Sequence, residues 1–280
     1  MSNVPISSLP PPLTVARKPA SLAVGRSLRP TVLAYHELFP ELTNYSYALT
    51  CRNFEEHLQL AAQFSPRDGQ MPVVISFDDG HISNYISALP LLQKYSCKAI
   101  FFVIGSRIGE HKDFMTWAHL RELVALGHRV EAHGWSHTFL TRCSDADLRT
   151  ELVHCREVLE DRLGTPVHAL SAPHGRWNRR VLRACAVAGY HQLFNSSPWP
   201  ARRKLDEMEV VGRLIANQSL DSARLLHWLT MGRIEAAFRH ARYAAKRSVQ
   251  YLMGDKLYYH LWARFSGWKG RDDAMLDGGR

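Results

Sequence analysis

The 280-residue sequence has no uninterrupted apolar run of the roughly 18 residues that would cross a bilayer, which excludes a conventional spanning helix. Its first stretch, Met1 to Leu28, carries Pro10-Pro11-Pro12 with Ser and Arg but no apolar core. Residues 1–29 therefore read as a flexible arm rather than a secretory leader. Cysteine is scarce: Cys51, Cys97, Cys143, Cys155 and Cys185 are odd in number and irregularly spaced. They suit neither a disulfide framework nor a CxxC zinc knuckle, and a reducing cytoplasm is the expected location. Acidic side chains are also in deficit, 26 against 35 Lys and Arg, for a formal charge of +9. The imbalance is marked between Met231 and Arg271, where Glu235 and Asp255 are the only acids. Such a balance is compatible with nucleic acid, an anionic membrane surface or an anionic sugar substrate. No nucleic-acid-binding motif accompanies it, so a nucleic-acid partner is not expected.

What is present is a repeating alternation of short β-rich runs with helical segments from about Pro30 to Ile215. That is the pattern of βα units around a mostly parallel sheet, an α/β fold with a barrel-like sheet. Thr31–Tyr35, Val73–Phe77 and Ala99–Val103 read as strands, with more near Arg129–Glu131, Val167–Leu170, Gln192–Phe194 and Val210–Leu214. The clearest helix runs from Ala146 to Leu163: Leu148, Leu152, Cys155, Leu159 and Leu163 share one face, Ser144 and Asp147 form a capping box, and Gly164 is the stop. Helices are also expected over Trp117–Ala125 and Asn178–Ala188. Residues 219–280 read as a small basic helical appendage, with helices over Ser219–Leu229 and Arg233–Leu252.

Two motifs carry chemistry. Asp78-Asp79-Gly80 follows an apolar strand directly, and paired carboxylates at a strand's C-terminal end face the usual active-site side of a βα architecture. Asp and Gly are equally at home in a turn that caps a helix. His133-Gly134-Trp135-Ser136-His137 also follows a strand, and one helical turn would aim both imidazoles at a single ion. An HxxxH spacing arises easily by chance in a chain with 15 histidines. The two motifs together supply two histidines, one aspartate and a spare carboxylate.

Ile75 to Gly80, His133 to His137, and Ser171-Ala172-Pro173-His174-Gly175 resemble the successive motifs of the polysaccharide deacetylases, carbohydrate esterase family 4, also called the NodB homology domain. The likeness runs from about Val32 to Leu214. It implies a distorted (β/α)7 barrel, placed here in residues 30–218, and hydrolysis of an N-acetyl amide on a sugar. Carried over residue by residue, Asp78 is the general base, and Asp79, His133 and His137 hold one divalent metal ion, zinc first among candidates. The backbone N–H of His174 would meet the oxyanion, and Trp135, Ser171, Pro173, Gly175, Arg176 and Trp177 would line the substrate cleft.

The sequence departs from the family in two places. Ser171 stands where many relatives carry the Arg that orients the base aspartate; Arg176 or Arg213 could supply that cation, since a guanidinium reaches a carboxylate from several backbone positions. No Leu-x-His stands directly after Val210–Leu214, where the family carries it, so the acid that protonates the leaving amine is sought elsewhere, with His174, His81 and His36 as candidates. The expected activity is N-deacetylation of an amino sugar in a polysaccharide or in a lipid- or nucleotide-linked precursor. Release of another acyl group such as formyl, or a catalytically silent sugar-binding module, are the alternatives. The Arg and aromatic content of Arg233 to Trp268 reads either as a helix lying on anionic lipid at the inner face of the membrane or as a helix packed on the barrel with a solvated basic face.

Overall fold

The computed structural model describes residues 31–63, 73–198, 202–205, 207–230 and 233–253. The expected arm and the segment beyond Met253 lie outside the described residues. In chain order the strands are β1 (Thr31–Tyr35), β2 (Glu37–Phe39), β3 (Ala48–Thr50), β4 (Val73–Phe77), β5 (Ala99–Val103) and β6 (Arg129–Ala132). They continue with β7 (Ala169–Ser171), β8 (Gln192–Asn195), β9 (Arg202–Leu205), β10 (Met208–Gly212) and β11 (Leu214–Ile215). The helices are α1 (Cys51–Gln63), α2 (Leu89–Lys94), α3 (Trp117–Ala125), α4 (Asp145–Arg149), α5 (Cys155–Leu163), α6 (Arg179–Val187), α7 (Ser222–Thr230) and α8 (Arg233–Met253).

The main sheet runs β11-β1-β4-β5-β6-β7-β8-β10-β9, parallel throughout except for the β9–β10 pair. Closure into a barrel rests on the segment Met208–Ile215. Its first part pairs with β8, Val211 opposite Phe194 and Gly212 opposite Asn195, and its last two residues pair with β1, Leu214 opposite Leu33 and Ile215 opposite Ala34. The run expected as one strand over Val210–Leu214 is thus split at Arg213, where the chain changes partners. With that segment counted as one stave, the ring is the distorted (β/α)7 barrel. The distortion is greatest between β6 and β7, which share the single register pair Ala132–Leu170. There Glu131 Oε2 accepts the backbone N–H groups of His168 and Ala169 at 2.8 and 2.7 Å, so a side chain replaces the missing ladder.

Strand alternation sorts the core. Leu33, Tyr35, Ile75, Phe77, Phe101, Val103, Val130 and Leu193 join the large apolar cluster beneath the helices. The alternate positions Val32, Ile100, Phe102, Ala169, Phe194 and Val211 form a separate plug inside the barrel. The Ser144–Asp147 capping box and the left-handed stop at Gly164 (φ 67°) bound the helical run 145–163 as expected, but a π turn over Thr150–His154 interrupts it. A second π turn spans Asn84–Ala88.

Candidate active site

The site is assembled where β4, β6, β7 and the β10–β11 junction end. Asp78 extends β4 by one bond, its N–H donating to the Tyr35 carbonyl at 2.8 Å. Asp79 (φ 72°) and Gly80 (φ 81°) then turn the chain sharply, and Gly80 lies so close to Val103 that a Cβ would come within 3.0 Å of its Cγ1. Asp79, His137 (φ 64°) and His174 (φ 57°) are all left-handed non-glycine residues, and all three lie in this site. Backbone strain of about 1–3 kcal/mol each persists where surrounding contacts over-determine the conformation.

Those contacts are specific. The segment His133–His137 is an irregular turn, not the helical turn expected from its spacing. Glu151, in the π turn of the following helix and 4% exposed, clamps it: the Trp135 N–H donates to Oε2 at 2.8 Å, the Ser136 N–H to the same oxygen at 3.0 Å, and the Ser136 hydroxyl to Oε1 at 2.5 Å. Gly134 is required there, since a Cβ would lie 2.9 Å from Glu151 Oε2. Asn84, in the other π turn, donates its amide to the His36 carbonyl at 2.6 Å. Each widened turn therefore delivers a buried polar side chain to a site loop. Glu151 escaped the sequence reading because it lies between Leu148 and Leu152 in what reads as an ordinary amphipathic helix; an acid beside the apolar face was the available signal.

Asp79 Oδ1 lies 3.3 Å from His133 Nε2 and 3.4 Å from His137 Nε2, and the three ligand atoms fall within 4.8 Å of one another. That oxygen is shut off from solvent and has no hydrogen-bond partner among the described residues. The His133 Nδ1–H is directed to the Ser171 carbonyl at 2.8 Å, which leaves the Nε2 lone pair facing the carboxylate. Burial pushes the Asp79 carboxyl up, but the adjacent His133, His137 and His36 rings more than offset this and hold it well below the usual range. Burial alone would lower His133, yet Asp78 and Asp79 raise it; His137 stays well below its ordinary value through burial, despite Asp79. Three lone-pair donors converging on one point, two nitrogens and one oxygen, fit a divalent cation of the zinc type.

Asp78 has different company. Arg213, 2% exposed, grips it with both terminal nitrogens, Nη1 to Oδ1 and Nη2 to Oδ2, each at 2.7 Å. The Ser171 hydroxyl accepts from Arg213 Nη2 at 2.8 Å and donates to Asp78 Oδ2 at 3.3 Å. Ser76 Oγ and the Asn195 carbonyl accept from Nη1 and Nε at 3.4 and 3.3 Å, so the guanidinium has an acceptor for each N–H. Burial raises the Asp78 carboxyl, but the Arg213 and His133 charges leave it below its ordinary value. Of the two cations left open by the sequence, Arg213 is the one on Asp78, and Ser171 belongs to the same network.

The remaining expected residues divide. His174 stacks on Phe139 at 4.1 Å between ring centroids and reaches the His137 carbonyl through Nε2 at 3.2 Å; burial pushes it down to about 4. His36 Nδ1 is buried and has no hydrogen-bond partner among the described residues, and its ring is close enough to lower both Asp78 and Asp79. His81 bonds Ser83 Oγ at 2.8 Å and packs against Phe39 and Phe114. Trp135 turns to the core: its ring meets His154 at 4.4 Å and covers Gly105, where a Cβ would come within 2.6 Å of it. Trp177 also packs on the core cluster, Pro173 and Arg176 are buried, and Gly175 (φ 66°) abuts Ser196.

Comparison with known proteins gives a consistent picture. A sequence profile described as polysaccharide deacetylase matches residues 66–193. The chain is 31% identical over 165 residues to a chitooligosaccharide deacetylase of Bradyrhizobium, covering 57% of this chain and 71% of that one. It is 30% identical over 183 residues to YxkH of Bacillus subtilis, covering 65% of this chain and 64% of that protein. Among solved structures, the Streptococcus pyogenes deacetylase PplD superposes with a TM-score of 0.65 at 20% identity, over 72% of this chain and 99% of that one.

Proposed function

The chain belongs to the polysaccharide deacetylase family, and from that premise we propose that it is a metal-dependent hydrolase that removes an N-acetyl group from an amino sugar. The observation that carries the proposal is the convergence of Asp79 Oδ1 with the Nε2 atoms of His133 and His137, beside a second carboxylate that Arg213 holds. One divalent ion, zinc by the chemistry of the donor set, would be held by those three residues and would supply Lewis acidity and an acidified water.

The chain's own residues do the rest. Asp78 is the base: Arg213 keeps it ionised and fixes its plane, and with Oδ2 also accepting from Ser171 the remaining lone pair on Oδ1 is left to accept the proton of the attacking water. The His174 backbone N–H would meet the developing oxyanion. Protonation of the leaving amine is assigned to His36, whose Nδ1 has no other hydrogen-bond partner among the described residues. His174 is less suited, because burial keeps it neutral and its Nε2 is engaged with the His137 carbonyl. His174 instead steadies the His137 loop. A silent binding module would need the ligand set but no buried, arginine-clamped carboxylate beside it, so the hydrolase reading is preferred. A reducing location and a glycan precursor as the substrate are part of the same proposal.

The test is acetate release from N-acetylglucosamine oligomers by the metal-loaded full chain, with formate release from N-formyl analogues followed in parallel. Release that stops on chelation and returns with zinc is expected. A metal-loaded protein that releases no acyl group from either series would overturn the hydrolase reading.

A further inference from the structure

Helix α8 has its sides arranged the opposite way from a helix packed on a core. The side carrying Arg239, His240 and Tyr243 meets the rest of the protein: His240 Nδ1 lies 3.1 Å from Ser197 Oγ, and the Arg239 guanidinium stands 5.3 Å over the Trp228 ring. These three residues are half-buried. Ile234, Phe238, Ala241, Ala245 and Val249, at spacings of four, three, four and four, form one stripe on another side of the helix, and all are exposed. Ile234 is 88% exposed, Phe238 63% and Val249 47%. Large apolar side chains aligned this way on a soluble surface mark an interaction face.

The charge beside the stripe identifies the partner. Arg242 and Lys246 lie along one edge of it and are exposed, and α8 as a whole carries five Arg or Lys against the single acid Glu235. A second copy of this chain would set those cations against their own kind, whereas an anionic phospholipid surface accepts both the apolar stripe and its basic margin. Among the described residues no helix is long and apolar enough to cross a membrane, so the contact is one of lying in the interface. Its position agrees with this. Ser197, which α8 touches, adjoins Ser196, against which Gly175 of the third motif packs, and Asn195, whose carbonyl accepts from Arg213. The helix thus sits at the rim of the barrel mouth.

We propose that α8 docks the protein on anionic lipid through Ile234, Phe238, Ala241, Ala245 and Val249, with Arg242 and Lys246 engaging headgroup phosphates. It follows, resting on the deacetylase reading, that the mouth is held close to an amino sugar linked to a membrane lipid. The experiment is co-sedimentation of the full chain with vesicles of phosphatidylcholine alone and with added phosphatidylglycerol. Binding is expected to the anionic vesicles and to weaken with salt. The double variant Ile234→Glu/Phe238→Glu should reduce it by about tenfold or more, and Arg242→Glu by about fivefold. Acetate release from soluble oligomers, measured separately, should be unchanged in all variants, so failure of docking is distinguishable from failure of the activity. No binding to anionic vesicles would overturn the proposal. So would equal binding by the double variant, or concentration-dependent self-association that the double variant abolishes.

Discussion

The two ends of the barrel interior use the same alternating strand positions for opposite chemistry. Lower in the barrel, Val32, Ile100, Ala169, Phe194 and Val211, with Val74 packed against them, make an apolar plug. At the mouth, the next inward positions of the same strands are Ser76, Asp78, Ser171 and Arg213. The two layers meet at Phe102 and Phe194, whose rings lie 5.3 and 5.9 Å from the Arg213 guanidinium. A buried ion pair is weak evidence for stability, because desolvation offsets most of the Coulombic attraction. Its presence here, fully hydrogen-bonded on an apolar floor, points instead to orientation of Asp78. The contrast predicts that changes at the mouth strike turnover, whatever they cost in stability, and that changes in the floor strike stability alone.

The largest effect tests the mouth directly. Asp78→Asn keeps the shape but removes the base, and kcat for acetate release should fall by about 10²–10⁴-fold while bound metal stays stoichiometric. Metal analysis and single-turnover assays check this, with thermal unfolding as the control for the fold. Full turnover in this variant would sink the role assigned to Asp78. The second largest is Arg213→Met, which strands a buried carboxylate and should cost about 3–5 kcal/mol in chemical denaturation. Combining it with Asp78→Asn should recover much of that stability but none of the activity, separating the structural and chemical halves of the pair.

A third prediction concerns pH and lies outside the barrel. His57, fully buried under α7, takes a hydrogen bond with Tyr35 Oη at 3.1 Å and another with the Leu220 carbonyl at 3.1 Å. Burial pushes its pKa from 6.5 down to about 4, so the fold favours the neutral ring. The associated stability is fully present above pH 6.5 and is lost progressively as pH falls toward 4, by about 3 kcal/mol at most. Urea midpoints between pH 4 and 7 should show this slope, and His57→Gln should flatten it. If acid inactivation follows the same slope, it reports unfolding rather than titration of the mouth.

These contrasts were unequally visible in the sequence. Strands such as Ala99–Val103 were legible because short β-rich runs between turn signals are buried on both faces in a parallel barrel. The triangle of Asp79, His133 and His137 was legible because its members sit at strand ends, where a local motif fixes position. The β10–β11 switch was not: Val210 to Leu214 reads as one strand, and only the closure geometry forces a change of partners at Arg213. The Asp78–Arg213 pair spans 135 residues, so composition could offer two arginines but not choose between them. The short β2, β3 and β9 carry too few residues to show a period. Glu151 was hidden for a different reason: its role depends on a π turn, which apolar spacing does not encode.

Glu151 yields the fourth prediction. It touches none of the three candidate ligands, yet it holds the turn between two of them. Glu151→Gln preserves volume but replaces one acceptor oxygen with a donor facing backbone N–H groups. Metal affinity should fall by about 10–100-fold, the usual cost of disturbing groups that orient ligands. Titration with a competing chelator measures it; an unchanged affinity would show that the turn is rigid without its clamp.

The smallest effect probes the floor. Ile100, 6% exposed on β5, belongs to the plug with Phe102 and Phe194 and makes no contact with the Asp78 network among its described hydrogen bonds. Ile100→Val removes one methylene and should cost about 0.5–1.5 kcal/mol. If the plug serves only as packing, metal affinity and kcat remain at wild-type values despite the lower urea midpoint. A fall in kcat comparable to that of a mouth variant would mean that Phe102 and Phe194 transmit floor packing to the guanidinium they face. The division between the two layers would then be one of composition but not of function.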